Sequence, residues 1–245
     1  MREVRFDWRL ENGIAGPGNL IVLLVVLFSF PLVLRLTGAL AVSTIGSQSS
    51  QHTPALVRFC FVVSAFLWIC FAITLFGIRN RGSSSFRDVI GRRWDRWRAV
   101  MRDIGVVLLT LVAMIAIGNL SNRLLAPMQH DVTANRAMFA TNTTEALAFL
   151  AVALTAGFVE EFVFRGYLQQ QFQALCGNTL LASALQLALF VQGHFYQGWL
   201  RLLPVMLIGA VLTGVALWRK SLIPGMIAHG LGDSLAALSY LVRQL

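Results

Sequence analysis

Seven apolar stretches, most of them near the length a helix needs to cross a bilayer, leave this chain few architectures. They run roughly over 19–42, 55–78, 104–120, 146–168, 180–199, 200–218 and 221–242. A hydrocarbon core takes about 20 predominantly apolar residues per helix. The sequence therefore predicts an all-α, polytopic transmembrane helix bundle of about seven spans. Composition agrees: 57% of the 245 residues are hydrophobic and 13% charged, with mean hydropathy +0.70. Soluble domains run at roughly 45–50% and about 25%. The expected organisation is a set of N-terminal spans over 1–144, with a basic cytoplasmic loop at 79–103, followed by a helical core over 145–245. The turn near Gln197–Arg201, between the fifth and sixth stretches, is the least marked boundary.

The net charge of +9 would suit nucleic acid, but its placement argues against that partner. Eight of the twenty basic residues fall between Arg79 and Arg102, in the loop between two apolar runs. That is the pattern of positive-inside topology and of contact with anionic lipids. With the N-terminus in the cytoplasm, the inner loops hold Arg2, Arg5, Arg9, the 79–102 cluster, Arg219 and Lys220. The outer segments then hold Arg123, Arg136, Arg201 and Arg243. The first apolar run is read as a retained anchor, because Arg35 interrupts it and Glu3, Asp7 and Glu11 dilute its basic lead. "NTT" at 142–144 has the form of a glycosylation sequon. Cys60, Cys70 and Cys176 show no CxxC spacing, so buried apolar cysteines are expected, not a disulfide framework or thiolate metal site.

Charged groups near a bilayer centre cost about 2.5–3.5 kcal/mol each on insertion scales, so those present should be paired and face inward. The last hundred residues hold Glu160, Glu161, Arg165, His194, His229 and Asp233, on three different apolar runs. Glu161 and Arg165 are i, i+4 and can pair on one helix face. His229 and Asp233, in "HGLGD", are also i, i+4, a spacing at which a carboxylate can fix an imidazole tautomer. Glu160 lies about 100° round the helix from Glu161 and is left to face the bundle. At about 1.5 Å rise per residue, Glu160 is expected roughly 10–15 Å deep, His229 and Asp233 roughly 10–18 Å, and His194 about 20 Å.

A carboxylate and imidazoles around water suit hydrolysis. Glu160 could act as general base, with His194 holding the same water. His229 and Asp233 could donate hydrogen bonds to an oxyanion, Asp233 only if protonated. Zinc held by Glu160, His194 and His229 is the competing chemistry, although HExxH is absent. "GLGD" at 230–233 contains an aspartyl-protease motif but lacks a second intramembrane aspartate. A non-catalytic immunity or scaffold protein, or a proton-coupled transporter, would use the same polar groups differently.

Three short motifs occur in order: "EEFVFR" (160–165), "FVQGH" (190–194) and "HGLGD" (229–233). Together they resemble the EExxxR, FxxxH and HxxxN/D motifs of the CPBP intramembrane proteases, the CAAX-protease and bacteriocin-processing or Abi family. The resemblance covers roughly residues 145–240. It implies peptide-bond hydrolysis within the membrane by a glutamate-activated water, while an older description of the family as metalloproteases keeps zinc at Glu160, His194 and His229 as the alternative. Glu160 matches the water-activating residue, His194 the second-motif histidine, and His229 and Asp233 the oxyanion side, with Glu161 and Arg165 completing the set. Family members that process prenylated tails often carry asparagine where this chain has Asp233. The implied setting is a bacterial inner membrane, and the implied partner a membrane-anchored peptide or protein substrate.

Overall fold

A computed structural model describes residues 7, 9–43, 49–128 and 140–242. These residues form nine α-helices: α1 (Pro17–Leu36), α2 (His52–Arg81), α3 (Phe86–Ile90), α4 (Trp97–Leu125), α5 (Thr143–Glu160), α6 (Gln169–Cys176), α7 (Thr179–Gln192), α8 (Trp199–Arg219) and α9 (Ile223–Val242). A π-helix, Glu161–Leu168, joins α5 to α6 without a break. The expected all-helical class is borne out, and no strand occurs among the described residues. Arg2, Arg5, Arg136 and Arg243, used above to argue orientation, lie outside them.

Five helices are long and apolar enough to cross a membrane: α1, α2, α4, the 34-residue α5–π–α6 helix and α8. The chain is thus an integral membrane protein. The 14-residue α7 is apolar but short, and the 20-residue α9 carries His229 and Asp233. Half of the most apolar window of the α5–π–α6 helix is buried, against 28% for α1, α4 and α8, so this helix is the centre of the bundle. It packs chiefly on α9 and α2. Small residues allow this: an added Cβ at Gly157 would strike the backbone of Gly230, so α5 and α9 meet backbone to backbone.

Local chemistry sets the helix ends. Gly82 closes α2 in the left-handed region (φ 68°), and Gly177 closes α6 likewise (φ 61°). Asn178 opens α7, its side chain accepting from the Leu181 N–H. Asn142, the sequon residue, caps α5 in the same manner and donates its amide to Thr53 Oγ1, so both ends of that side chain are engaged. Beside it, Glu145 is wholly buried and accepts from His52 Nδ1 (2.9 Å), Thr53 Oγ1 (2.6 Å), Thr141 N (2.7 Å) and Thr141 Oγ1 (2.9 Å). That cluster ties the start of α2 to the start of α5. The three cysteines are buried and unpaired, as expected.

Two expectations need correction. The stretch 180–199 is not one span: α7 ends at Gln192, and His194 sits in the turn before a short 3-10 helix, Phe195–Gln197. Gly193 caps α7, and Gly198 turns the chain at φ 87° into α8. His194 is therefore half-buried just past the end of α7, about 22 Å along the helix axis from Thr179 and not inside a continuing span. Nor is 79–103 an open loop. Its first residues finish α2, its last begin α4, and between them α3 starts with a Ser85–Asp88 capping box.

The loop is docked as well. Arg92 N–H donates to the Lys220 carbonyl (2.8 Å) and Leu222 N–H to that of Ile90 (2.9 Å), around a bridge between Gly91 and Ser221. Gly91 has φ 82°, and a Cβ there would strike the Lys220 carbonyl oxygen. Phe86 stacks on Phe162 in the π-helix, and Gly166 leaves room for Val89. Asp103 completes the link by accepting from Arg219 Nη2 (2.7 Å) and Trp94 Nε1 (3.0 Å).

Candidate active site

The central helix changes register where the two glutamates lie. Glu160 ends α5, and Glu161 opens the π-helix, whose eight residues are all buried. Such π segments in α-helices often occur at functional sites. Here adjacent glutamates both address one residue of the facing helix, His229.

Glu161 is fully buried, and its Oε1 accepts from Arg165 Nη1 and from His229 Nδ1, each at 3.0 Å. The predicted i, i+4 pair with Arg165 is therefore present. Arg165 is fixed on two further sides: Nη2 donates to the Gly209 carbonyl of α8 (3.1 Å), and its guanidinium lies 4.2 Å from the centroid of the Phe190 ring. Both contacts suit a planar cation better than an ammonium.

The expected i, i+4 pair of His229 with Asp233 is present, and a second carboxylate holds the ring as well. The carboxylate on Nδ1 is Glu161 of the neighbouring helix. Asp233 approaches the other nitrogen, with Oδ2 3.4 Å from Nε2. An ionised carboxylate accepts only, so Nδ1 carries a hydrogen and Nε2 is the atom turned to the other acidic groups. Glu160 Oε2 lies 3.9 Å from that Nε2. It is buried and has no hydrogen-bond partner among the described residues. Burial apart, the groups acting electrostatically on Glu160 are His194, His229, Asp233 and Arg165. The structure thus brings the predicted residues into one neighbourhood. The Asp233 side chain remains 43% exposed, so the cluster reaches the surface of the bundle on this side.

His194 enters from the α7–α8 turn. Its Nδ1 donates to the Phe190 carbonyl (2.7 Å), fixing the tautomer and leaving Nε2 as an acceptor when the ring is neutral. Its ring packs against Phe190, centroids 4.7 Å apart, and nearly parallel to Tyr196 at 6.2 Å. Phe190 also approaches His229 at 6.3 Å. One phenyl ring thus touches the side chains of Arg165, His194 and His229.

Sequence reasoning missed several supporting residues. Tyr196 packs on His194 from one side and on Phe30 and Phe59 from the other. Thr213 Oγ1 donates to the same Gly209 carbonyl that holds Arg165 (2.8 Å), and buried Gln186 donates to Thr213 Oγ1 (2.8 Å). Gly209 is itself a close approach, since a Cβ there would press on Leu187 and Phe190. Uncharged side chains in apolar helices gave no signal for this chain of bonds.

For the zinc alternative, no group of three or more His, Cys, Asp or Glu side chains among the described residues is arranged to hold a metal ion. His229 Nδ1 is held by Glu161, which leaves Nε2 as the ring atom that could bind a metal, the arrangement in which a carboxylate orients a histidine ligand.

Residues 142–235 match the family model described as Rce1-like, type II CAAX prenyl endopeptidase Rce1-like. The matched segment starts at the Asn142 cap of α5 and includes all three motifs. No curated protein and no solved structure matches the chain.

Proposed function

We propose that this membrane protein is an intramembrane endopeptidase of glutamic type, a reading that starts from the match of residues 142–235 to the Rce1-like family model. The observation that carries the reading is the Glu160 carboxylate, whose Oε2 is buried, without a hydrogen-bond partner among the described residues, and 3.9 Å from His229 Nε2. A buried carboxylate is costly unless something is to be bonded there. A water molecule answers that need.

In the proposed reaction, one water hydrogen bonds to Glu160 and the other to His194 Nε2. Glu160 takes its proton as the water oxygen attacks the carbonyl carbon of the scissile peptide. Charge develops on the carbonyl oxygen, and His229 stabilises it by donating from Nε2, as it can when both ring nitrogens are protonated. Glu161 and Arg165 are positioning residues: the first holds Nδ1 of His229, and the second holds Glu161. Asp233 steers the other edge of the ring. Collapse of the tetrahedral intermediate breaks the C–N bond, and the proton held by Glu160 passes to the departing amine. Water and peptide become acid and amine, with no proton left over.

The substrate in this reading is a membrane-associated peptide or protein tail reaching the site from the bilayer. The N-terminus is cytoplasmic in a bacterial inner membrane, and the basic 79–102 stretch contacts anionic lipid. The test is Glu160→Gln, which keeps the side chain's size and removes the base. The expected outcome is a folded protein that leaves an uncut precursor among membrane-fraction peptides. A Glu160→Gln protein that still cleaves would end the proposal.

A further inference from the structure

A cavity of about 440 Å³ opens beside the end of α2. It is lined by the apolar Leu75, Ile78 and Phe86 and by the polar Arg79, Ser84 and Ser85. Its volume falls within the roughly 300–1,000 Å³ of small-molecule sites. Much of its backbone frame is fixed. Gly82 stops α2 in a left-handed cap, and the Ser85–Asp88 capping box starts α3. Phe86 stacks on Phe162 (5.1 Å, 22°) and meets Phe71 edge-on (6.3 Å). The nearby Asp88 carboxyl is turned onto the Ser85 hydroxyl and backbone N–H, bonds that hold it below its ordinary range. Arg79 and Ser84 have no such commitment: neither side chain has a hydrogen-bond or ion-pair partner among the described residues.

Arg79 lies in the last turn of α2, a helix long and apolar enough to cross a membrane, and Leu75 lies one turn further into its apolar run. A free cation and hydroxyl at the polar boundary, above an apolar recess, fit an amphiphile with an anionic head. We propose that this cavity binds one anionic phospholipid, its phosphate on Arg79 and Ser84 and an acyl chain along Leu75, Ile78 and Phe86. The proposal narrows the lipid contact suggested for the basic stretch to one built site and rests on that contact; it does not require peptidase activity.

The full chain, in micelles doped with phosphatidylglycerol or phosphatidylcholine, would be examined by native mass spectrometry for retained lipid. One phosphatidylglycerol per chain is expected, with little retained phosphatidylcholine. Arg79→Gln should lower retention about fivefold, the equivalent of about 1 kcal/mol for one basic residue at a charged surface. Ser84→Phe, which fills the cavity with every charge kept, should lower it too. Arg98→Gln, in the same basic stretch but not in the lining, should leave it unchanged. Should Ser84→Phe fail to fold, the exposed Arg79 decides alone. Equal retention of the two lipids overturns the site. So does equal loss in Arg79→Gln and Arg98→Gln, which would leave only diffuse attraction to the membrane. Displacement of the retained lipid by a cleavable peptide would assign the cavity to substrate and also overturn it.

Discussion

Gly157→Ala adds one methyl group, yet it should disable the site. Gly157 lies one turn before Glu160 and faces Gly230, the neighbour of His229. The new Cβ would lie 2.5 Å from Gly230 Cα, closer still to its nitrogen, and 2.9 Å from the Met226 carbonyl oxygen. Ordinary contact begins near 3.4 Å, so α5 and α9 must part by about 1 Å. The obstacle is backbone on both sides, so no rotamer relieves it. A bond of 3.0 Å between His229 Nδ1 and Glu161 then stretches beyond hydrogen-bonding range, and Glu160 recedes from Nε2. Misplacement of about 1 Å costs on the order of 10²-fold in rate. Overpacking costs about 1–3 kcal/mol, against about 1 kcal/mol gained by replacing a helical glycine with alanine. The net loss of stability should thus be about 0–2 kcal/mol, below the roughly 2.7 kcal/mol to which the lost rate corresponds. Reporter-peptide kcat in nanodiscs and thermal unfolding in the same preparation separate the two. Gly105→Ala and Gly118→Ala in α4 are the controls, since an added Cβ meets nothing within 4 Å. A Gly157→Ala protein with unchanged kcat and unfolding temperature would refute the claim that this helix contact sets the catalytic geometry.

Other outcomes follow from the same contacts. Arg165→Met leaves Glu161 buried without its cation and should cost about 3–5 kcal/mol, seen as a lowered unfolding temperature, with Arg165→Lys between it and the parent. The pH profile of kcat/KM should be bell-shaped: activity falls in acid as Glu160 takes up a proton and can no longer act as base, and in alkali as His229 loses the second ring proton. His229→Gln should remove the alkaline limb from whatever rate remains, and a profile unchanged by it would contradict the oxyanion role. Chelator should leave the cleavage rate unaltered and added zinc should not raise it; a rate lost to chelator and restored by zinc would instead put Glu160, His194 and His229 round a metal. Thr213→Val removes one of two side-chain donors to the Gly209 carbonyl, so kcat should fall with KM unchanged and Thr213→Ser should restore it.

Hydropathy made most of the architecture legible, because a bilayer imposes length and apolarity on each span independently of its neighbours. The Glu161–Arg165 pair was readable for a similar reason, being local to one helix. His229 was read less well. Its spacing pointed to Asp233, but the Nδ1 partner came from another helix, at a contact that depends on Gly157 and Gly230. The apolar character of 180–199 hid the break after Gln192. Gly193 and Gly198 were the available signals, outweighed by the hydrophobic residues around them. In 79–103 the arginines drew attention to lipid, while the capping signature Ser85-x-x-Asp88 and the glycines at 82 and 91 carried the structural message. Its docking on Lys220–Leu222 joins positions far apart in sequence and had no local mark.

The π-helix has an effect beyond the glutamates. Each of its turns takes up one residue more than an α turn, and one residue is worth about 100° of rotation. Everything after Leu168 is consequently reclocked relative to α5. That offset lets Gln171 in α6 point at the chain's beginning, where it accepts from the N–H groups of Ile14 and Ala15 and donates to the Ala15 carbonyl. Removing a single residue between 162 and 168 would spin the remainder of the helix away from that early segment while leaving α5 untouched. Spacing here is counted out like teeth on a gear, and a deletion would be punished more severely than most substitutions.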